Sequence, residues 1–380
     1  MAQYQIYTES DATLYEKYIE RNTGIDQILE LKKTCSGSRL DGQYQANTYN
    51  TRILINFNGT QFTELSKSIV EGTIGSTDRK FYLNVKNIYA QDLPISYSLW
   101  VHPVSESWNN GSGRYDDVPE STNGASWKYR DSKDSATEWQ AGPFTGNSTG
   151  GGGTTTAGGG TWYTGSGYEA SQSFNYSSTD IRMDVTDIVN TWLAGEIANN
   201  GFILKQSTTD EQAGGTSLNL QFFSKDTRTI YAPRLETIWK DFSEDNDSAT
   251  TVVHQINNGG PIVYFKNLNE KYPEGSRVQF RLGARAKYPI KTYSTSSWYS
   301  TTERLSSTSS YAVCDGVTGE TLLDYDDTYT KISWDANGSY FNYWMNSLSP
   351  ERYYKFKIRS KYSNSQITYF DNGYYFKVVR

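Results

Sequence analysis

The chain has 380 residues, a formal net charge of −6 at pH 7 and a pI of about 5.2. This length exceeds what a single hydrophobic core usually supports, so two or three domains are expected. The acidic balance argues against a nucleic-acid partner, and the presence of only two cysteines argues against a disulfide scaffold. We find neither an export signal nor 18 consecutive apolar residues, so we expect cytoplasmic synthesis without secretion and no membrane partner.

The composition is typical of β-strands. The chain contains 31 Tyr, 15 Phe and 10 Trp, and large flat rings pack well on a pleated, half-buried surface. Its 32 Gly, with abundant Ser, Thr and Asn, fit many strands joined by turns. We therefore predict an all-β fold.

The charge is unevenly distributed along the chain. Residues 250–380 contain 16 Lys+Arg and 11 Asp+Glu, whereas the other residues contain 20 and 31. Two domains with unrelated surfaces are the favoured explanation of this asymmetry, which also fits complementary partners stacked head to tail in an assembly.

The period of the apolar residues predicts the elements of the first 241 residues. Alternation and turn signals predict strands at 51–58, 95–101, 202–206 and 218–223. One short helix is predicted, with Asp184 as its cap, Gly195 at its end and an apolar stripe between them.

Residues 104–168 lose this periodicity. They include a Gly/Thr-rich insertion at 145–167, which we expect to be a mobile surface excursion because glycine has maximal backbone entropy and no side chain to bury.

The acidic, polar residues 242–250 predict a linker between a domain at 1–241 and a second domain at 251–380. The alternation of apolar and basic residues predicts that the second domain is an antiparallel sheet structure with one solvent-exposed, basic face. An acidic protein neighbour or plain solvation accounts for this basic docking face. Its residues are Arg281, Arg285, Lys355, Lys357 and Arg359.

Residues 8–239 resemble DNRLRE-type domains, jelly-roll sandwiches that are grouped with carbohydrate-binding modules and occur in surface proteins and virus particles. The resemblance implies an N-terminal jelly-roll β-sandwich with one short helix, which we expect to be followed by a C-terminal antiparallel β-sandwich. The segments that carry it, in the family's order, are 22–24, 26–31, 52–57, 99–104, 106–108, 125–127, 183–195, 199–205, 222–225 and 232–235.

The whole chain resembles structural proteins of tailed bacteriophages in composition, in its missing export signal and in its second β domain. This resemblance implies a non-enzymatic component of the virion, an accessory of the neck, tail or baseplate. Its partners would be other virion structural proteins, on which it docks in multiple copies.

Groups suited to catalysis are sparse. His102 and His254 fall in different predicted domains, and we expect His102 to make a structural hydrogen bond. The pairs Asp116-Asp117 and Asp326-Asp327 are expected to be solvated turn acids, although a glycosidase also uses two carboxylates. We predict no catalytic residue, no metal ion and no cofactor.

Five aromatic residues are candidate contacts, because exposed rings stack on sugar faces and dominate protein interfaces. Trp108 and Trp127 match the family pattern and are favoured to fill the core, whereas Trp139 and Trp162 border the insertion. Surface glycans are therefore an alternative partner, and a carbohydrate-binding module for host-surface attachment is the alternative function. The candidates are Trp108, Trp127, Trp139, Trp162 and Tyr163.

Overall fold

A computed structural model describes residues 2–40, 43–57, 59–75, 79–133, 136–139, 158–175, 179–212, 218–242, 256, 261–288, 303–361 and 367–380. The chain divides into two compact units. The larger unit contains Ile6–Glu71 and Lys80–Glu236, and the smaller unit contains Met1–Gln5, Gly72–Arg79 and Thr237–Arg380. All of the predicted linker after Phe242 lies outside the described residues, so the predicted domain boundaries stay a prediction.

The described residues form mainly short strands. In chain order, the strands up to Trp239 are β1 (Ala2–Tyr7), β2 (Ser10–Tyr15), β3 (Ile28–Leu40), β4 (Gln43–Asn56), β5 (Lys80–Val85), β6 (Asn87–Gln91), β7 (Tyr97–Pro103), β8 (Tyr129–Asp131), β9 (Thr137–Glu138), β10 (Ala170–Phe174), β11 (Ile181–Asp184), β12 (Phe202–Gln206), β13 (Leu218–Phe223) and β14 (Arg234–Trp239). The later strands are β15 (Ile262–Phe265), β16 (Lys271–Pro273), β17 (Arg277–Arg285), β18 (Ser310–Asp315), β19 (Thr321–Leu323), β20 (Ser333–Asp335), β21 (Gly338–Trp344), β22 (Arg352–Lys361) and β23 (Ile367–Val379). The helices are α1 (Thr60–Val70), α2 (Thr186–Leu193) and α3 (Thr208–Gln212).

The predicted helix is confirmed as α2, although its N-cap is Val185, one residue after the predicted cap Asp184. The Asp184 carboxylate accepts the backbone N–H of Thr186, the first helical residue, at 3.0 Å. Gly195 follows the helix with φ of 72°, a left-handed conformation that glycine adopts without steric cost. Sequence analysis missed α1, whose buried Phe62 and Leu65 share one face at a spacing of three residues.

The larger unit is built around an eight-stranded sheet with the order β10-β7-β12-β4-β3-β13-β6, to which β2 adds by pairing with β4. A second sheet has the order β1-β14-β5-β11. Trp192 of α2 contacts Phe202 of β12, with ring centroids 4.6 Å apart. The fold class predicted from the sequence, all-β with a sandwich architecture, is confirmed.

The centre of the eight-stranded sheet is buried on both faces. Every residue of β12 is buried, so Phe202 and Leu204 point to one core while Ile203 points to another. Ile203 belongs to a second hydrophobic cluster, to which the segment after β7 contributes most of the side chains. The cluster consists of Leu14, Leu54, Val104, Ala125, Trp127, Trp139, Trp162 and Ile203.

The end of the Gly/Thr-rich insertion packs tightly in this second cluster, and the predicted mobile excursion is wrong for residues 158–162. Gly159, at φ of 79°, donates its N–H to the carbonyl of Trp127, and its own carbonyl accepts Nη1 of Arg52 at 2.8 Å. A Cβ at Gly159 would lie 2.7 Å from Cζ2 of Trp127 and would also overlap Arg52. The absence of a side chain at Gly159 therefore permits burial of this segment, because Trp127 and Arg52 can approach its backbone closely. Residues 145–157 lie outside the described residues.

The smaller unit contains two sheets, β15-β17-β21-β20 and β16-β23-β22-β18-β19, whose inner faces share one core. Its pairings are antiparallel apart from β16 with β23. The core is largely aromatic: Phe356 of β22 lies 4.8 Å from Phe280 of β17 and stacks on Phe376 of β23 at 4.7 Å. These rings connect the two layers.

Gly159→Ala is expected to lower the free energy of unfolding by about 2–4 kcal/mol, because the added Cβ overlaps Trp127 and Arg52. Gly165→Ala is the matched control, since Gly165 also has a positive φ but nothing lies within 4 Å of its Cβ position. Its expected cost is about 1 kcal/mol. Urea unfolding followed by tryptophan fluorescence compares the two, and equal losses would contradict close packing at Gly159.

Candidate interaction surfaces

Three of the predicted contact rings are core residues. Trp127, Trp139 and Trp162 are only 1%, 5% and 3% exposed, and Nε1 of Trp139 donates to the carbonyl of Ser126 at 2.9 Å. The core position favoured for Trp127 is therefore confirmed, whereas the prediction that Trp139 and Trp162 present free faces to a glycan or a protein is wrong. They are buried because the second face of the central sheet needs an apolar cover, which large rings provide.

The other two predicted aromatic contacts, Trp108 and Tyr163, are half-buried. Trp108 packs against the second cluster and donates Nε1 to the carbonyl of Asn200 at 2.9 Å. The ring of Tyr163 lies 5.7 Å from that of Tyr168. The structure thus brings the five candidates to one region without forming an exposed aromatic platform there.

Three charged side chains lie beneath the buried rings. Arg52 donates Nε and Nη2 to the two carboxylate oxygens of Glu211 at 3.0 and 2.8 Å, and Nζ of Lys205 lies 3.3 Å from Glu211. The Arg52 guanidinium also sits 4.7 Å from the centre of the Trp127 ring. Burial lowers the pKa of Lys205 to about 8, opposed by the charge of Glu211. The ion pairs with Glu211 offset part of the cost of burying the two cations.

His102 makes the structural contact predicted for it. Its ring is 5% exposed and lies between the indoles of Trp100 and Trp162, and Nδ1 is 3.3 Å from the carbonyl of Tyr168. Burial, together with the positive charge of Lys205, lowers the pKa of His102 to about 4. The imidazole is therefore neutral at pH 7. His254 lies outside the described residues.

Asp11, on β2, is a buried carboxyl group that is 1% exposed. One oxygen accepts the backbone N–H of Lys225 at 2.7 Å. Burial raises the pKa of Asp11 to about 7, against the lowering effect of this hydrogen bond and of the Lys225 charge. Sequence analysis offered no signal for this burial, because Asp11 lies in an ordinary polar stretch.

The adjacent acid pairs noted in the sequence accept hydrogen bonds from the backbone of their own loops. Asp117 accepts the backbone N–H of Arg114, and Asp326 accepts those of Thr328 and Tyr329. Within the described ranges, no three His, Cys, Asp or Glu side chains are grouped as metal ligands. In the same ranges, the helices are too short or too polar to span a bilayer.

The structure does not bring the five predicted basic residues together. Arg281 and Arg285 lie on β17, whereas Lys355, Lys357 and Arg359 lie on β22 of the other sheet. Because both strands point their alternate apolar residues into the common core, the two basic groups occupy opposite sides of the sandwich. A single basic docking face is therefore wrong.

The outer surface of β22 and β23 combines cations with exposed aromatic rings. Lys355 pairs across the strands with Tyr375, Arg359 with Tyr369, and Lys377 with Tyr353. Tyr369, Tyr353 and Tyr375 are 61%, 54% and 48% exposed. Sequence analysis missed this combination because the rings come from the neighbouring strand. We define the tyrosine-cation face as Tyr353, Lys355, Lys357, Arg359, Lys361, Tyr369, Tyr375 and Lys377.

At the centre of this face, each of two carboxylates forms ion pairs with two cations. Nζ of Lys355 and Nζ of Lys357 lie 3.1 and 3.8 Å from Asp371, and Arg359 and Lys361 lie 2.6 and 2.5 Å from Asp327. A groove of about 300 Å³ opens beside these ion pairs. Its lining includes Ala312, Tyr325, Lys357, Tyr369, Phe370 and Asp371.

The larger unit has an exposed apolar edge at β6. This strand ends the eight-stranded sheet, and among the described residues no strand pairs with its far side. Ile88, Tyr89, Leu93 and Ile95, on and just after β6, are 40%, 47%, 37% and 72% exposed. We call residues 87–95 the β6 edge. Unpaired backbone beside exposed apolar side chains is a template for pairing with another chain.

Asp11→Asn is expected to change how stability depends on pH. The folded chain holds a proton up to pH 7 that the unfolded chain releases near pH 3.8, so wild-type stability falls as pH rises through this window. The variant does not titrate, so it should gain up to about 4 kcal/mol relative to wild type between pH 4 and pH 8. Urea unfolding across this range measures the change, and a pH-independent difference would contradict a buried, protonated carboxyl.

His102→Gln is expected to show the opposite trend. The folded-state pKa lies below the unfolded value of 6.5, so wild-type stability falls as pH drops from about 6.5 to about 4. The variant loses ring contacts at every pH but lacks this titration. At pH 7.5 the variant should therefore have a lower free energy of unfolding than wild type. In the same unfolding assay at pH 4, this difference should be smaller by up to about 3 kcal/mol. A deficit that grows on acidification would refute the neutral, enclosed imidazole.

No protein-family model matches the chain, and no curated protein sequence does. The resemblance of residues 8–239 to DNRLRE-type domains therefore stays a prediction.

Proposed function

We propose that the chain is a non-enzymatic structural component of a tailed-bacteriophage particle. In this role it is an accessory of the neck, tail or baseplate that docks on neighbouring virion proteins in several copies. It acts by binding through surfaces preformed on its sheets, without covalent chemistry.

The observation that carries this proposal is the β6 edge. A strand from a neighbouring protein that pairs with β6 gains backbone hydrogen bonds and covers exposed apolar side chains such as Ile88. An isolated soluble protein would leave this surface in contact with water at a cost in solubility. A particle made of repeated subunits provides a neighbour that covers it.

The state of the titratable groups supports a binding role over a catalytic one. The imidazole of His102 is enclosed between two indoles, and the carboxylate of Glu211 is held by Arg52 and Lys205. These groups stabilise the fold, whereas a general acid or base must reach a substrate.

Mass spectrometry of purified particles is expected to detect the chain, and its absence from them would refute the virion role. The β6 edge is tested in the same particles with the double variant Ile88→Asp/Ile95→Asp. Two carboxylates would be buried at the contact, so we expect incorporation to fall at least about tenfold.

Val70→Asp is the matched control, because Val70 is also an exposed aliphatic residue of the larger unit, at 83% exposure, but lies at the end of α1. Its incorporation should equal that of the wild type. Normal incorporation of the double variant would rule out the β6 edge as the docking surface.

A further inference from the structure

We infer that copies of this chain associate head to tail, with an acidic loop of one copy docked in the groove of the tyrosine-cation face of the next. The acidic loop is residues 114–120 of the larger unit. This inference rests on the proposed role as a component present in several copies, and it identifies the partner of one specific surface as a second copy.

The acidic loop has the form of an apolar knob flanked by carboxylates. Val118 at its tip is 96% exposed, the largest exposure of the hydrophobic residues that the structure describes. Asp116 and Asp117 precede it and Glu120 follows it. Such a knob fits an apolar groove with a basic rim.

The loop is held in shape before any partner arrives. The ring of Tyr115 packs on Tyr15 at 4.9 Å, and the Asp117 carboxylate accepts the backbone N–H of Arg114 at 2.8 Å. At the other end, Glu120 pairs with Arg21 at 3.1 Å. Little conformational entropy is therefore lost on docking.

The loop lies beside several carboxylates, whose negative charge disfavours further acidic groups and favours cations. Burial raises the pKa of Asp26, and the nearby carboxylates of Glu30 and Asp116 raise it further. The backbone N–H of Tyr115 donates to Asp26, so this crowding occurs at the base of the loop. Cations from a partner would relieve the repulsion.

The groove offers the matching chemistry. Tyr325 and Tyr369, with ring centroids 5.6 Å apart, form an apolar wall beside Ala312 and Phe370. A volume of about 300 Å³ accommodates the isopropyl group of Val118. The apolar tip thus finds a partner surface of similar size.

The rim of the groove carries a cluster of cations. Lys355 and Lys357 share Asp371 as their ion-pair partner, and Arg359 and Lys361 share Asp327. Asp324 and Asp326 add carboxylates in the neighbouring loop, where they accept backbone N–H groups. Asp116 and Asp117 of a second copy can pair with the ammonium groups of Lys355 and Lys357, which share a single carboxylate.

The whole chain shows the same complementarity, since residues 250–380 carry an excess of cations and the remainder an excess of acids. A nucleic acid fits the chain less well, because the net charge of the whole chain is −6. The two docking surfaces are different, so the contact is heterologous and repeats into rings or filaments, as expected of a multi-copy component.

Sedimentation velocity of the isolated protein tests the inference. Wild type at about 100 µM in 50 mM NaCl should form species larger than a monomer that dissociate in 500 mM NaCl, where ionic contacts are screened. Lys355→Glu/Lys357→Glu, Asp116→Lys/Asp117→Lys and Val118→Asp should each weaken association at least about tenfold. Lys266→Glu, directly after β15 of the other sheet in the smaller unit, should not.

Mixing Lys355→Glu/Lys357→Glu with Val118→Asp provides the decisive measurement. The first variant retains the acidic loop and the second retains the groove, whereas the two altered surfaces carry like charges and repel each other. The mixture should therefore form 1:1 dimers and nothing larger, although each variant alone associates at least about tenfold more weakly than wild type. Dimers also show that both variants are folded. A monomeric wild type at low salt, or the absence of 1:1 dimers although all variants unfold at the wild-type urea midpoint, would overturn the inference. Detection of the chain in particles would leave the proposed function standing in that case.

Discussion

Burial of both faces at the centre of the eight-stranded sheet is the constraint on which the rest of the larger unit depends. It places Arg52 and Lys205, on adjacent strands, in an interior where uncompensated charge is very costly. Both cations pair with Glu211, and the indoles of Trp127 and Trp162 cover the guanidinium of Arg52. The close approach of Gly159 completes this arrangement. The long segment after β7 is consequently a structural layer.

The packing of the smaller unit is simpler, because its two sheets share one core. Its two sheets direct aromatic residues such as Phe280 and Phe356 inward, which leaves the alternate positions of each strand in contact with solvent. On β22 these positions are mainly basic, and on β23 they include Tyr369, Tyr375 and Lys377. The pairing register between the two strands converts two separate sequence patterns into one mixed surface.

The ionisable groups of the interior affect stability, whereas those of the surface are available for binding. Asp11 and His102 titrate in windows that overlap between about pH 4 and pH 6.5, and their contributions to stability have opposite signs there. They therefore offset each other over part of the acidic range. The surface cations retain shared counter-ions and remain available to a partner, which agrees with a protein that works by binding.

The all-β class, the helix α2 and the alternation of β17 and β22 could be predicted from the amino-acid sequence, because a period of two or 3.6 residues is a local property. The same alternation predicted that Lys355, Lys357 and Arg359 face outward. In contrast, the core positions of Trp139 and Trp162, the location of Arg281 on the opposite sheet from Lys355 and the edge position of β6 became visible in the folded chain alone. Those outcomes depend on which strand pairs with which and on what covers each face, and both are set by contacts between residues far apart in the chain.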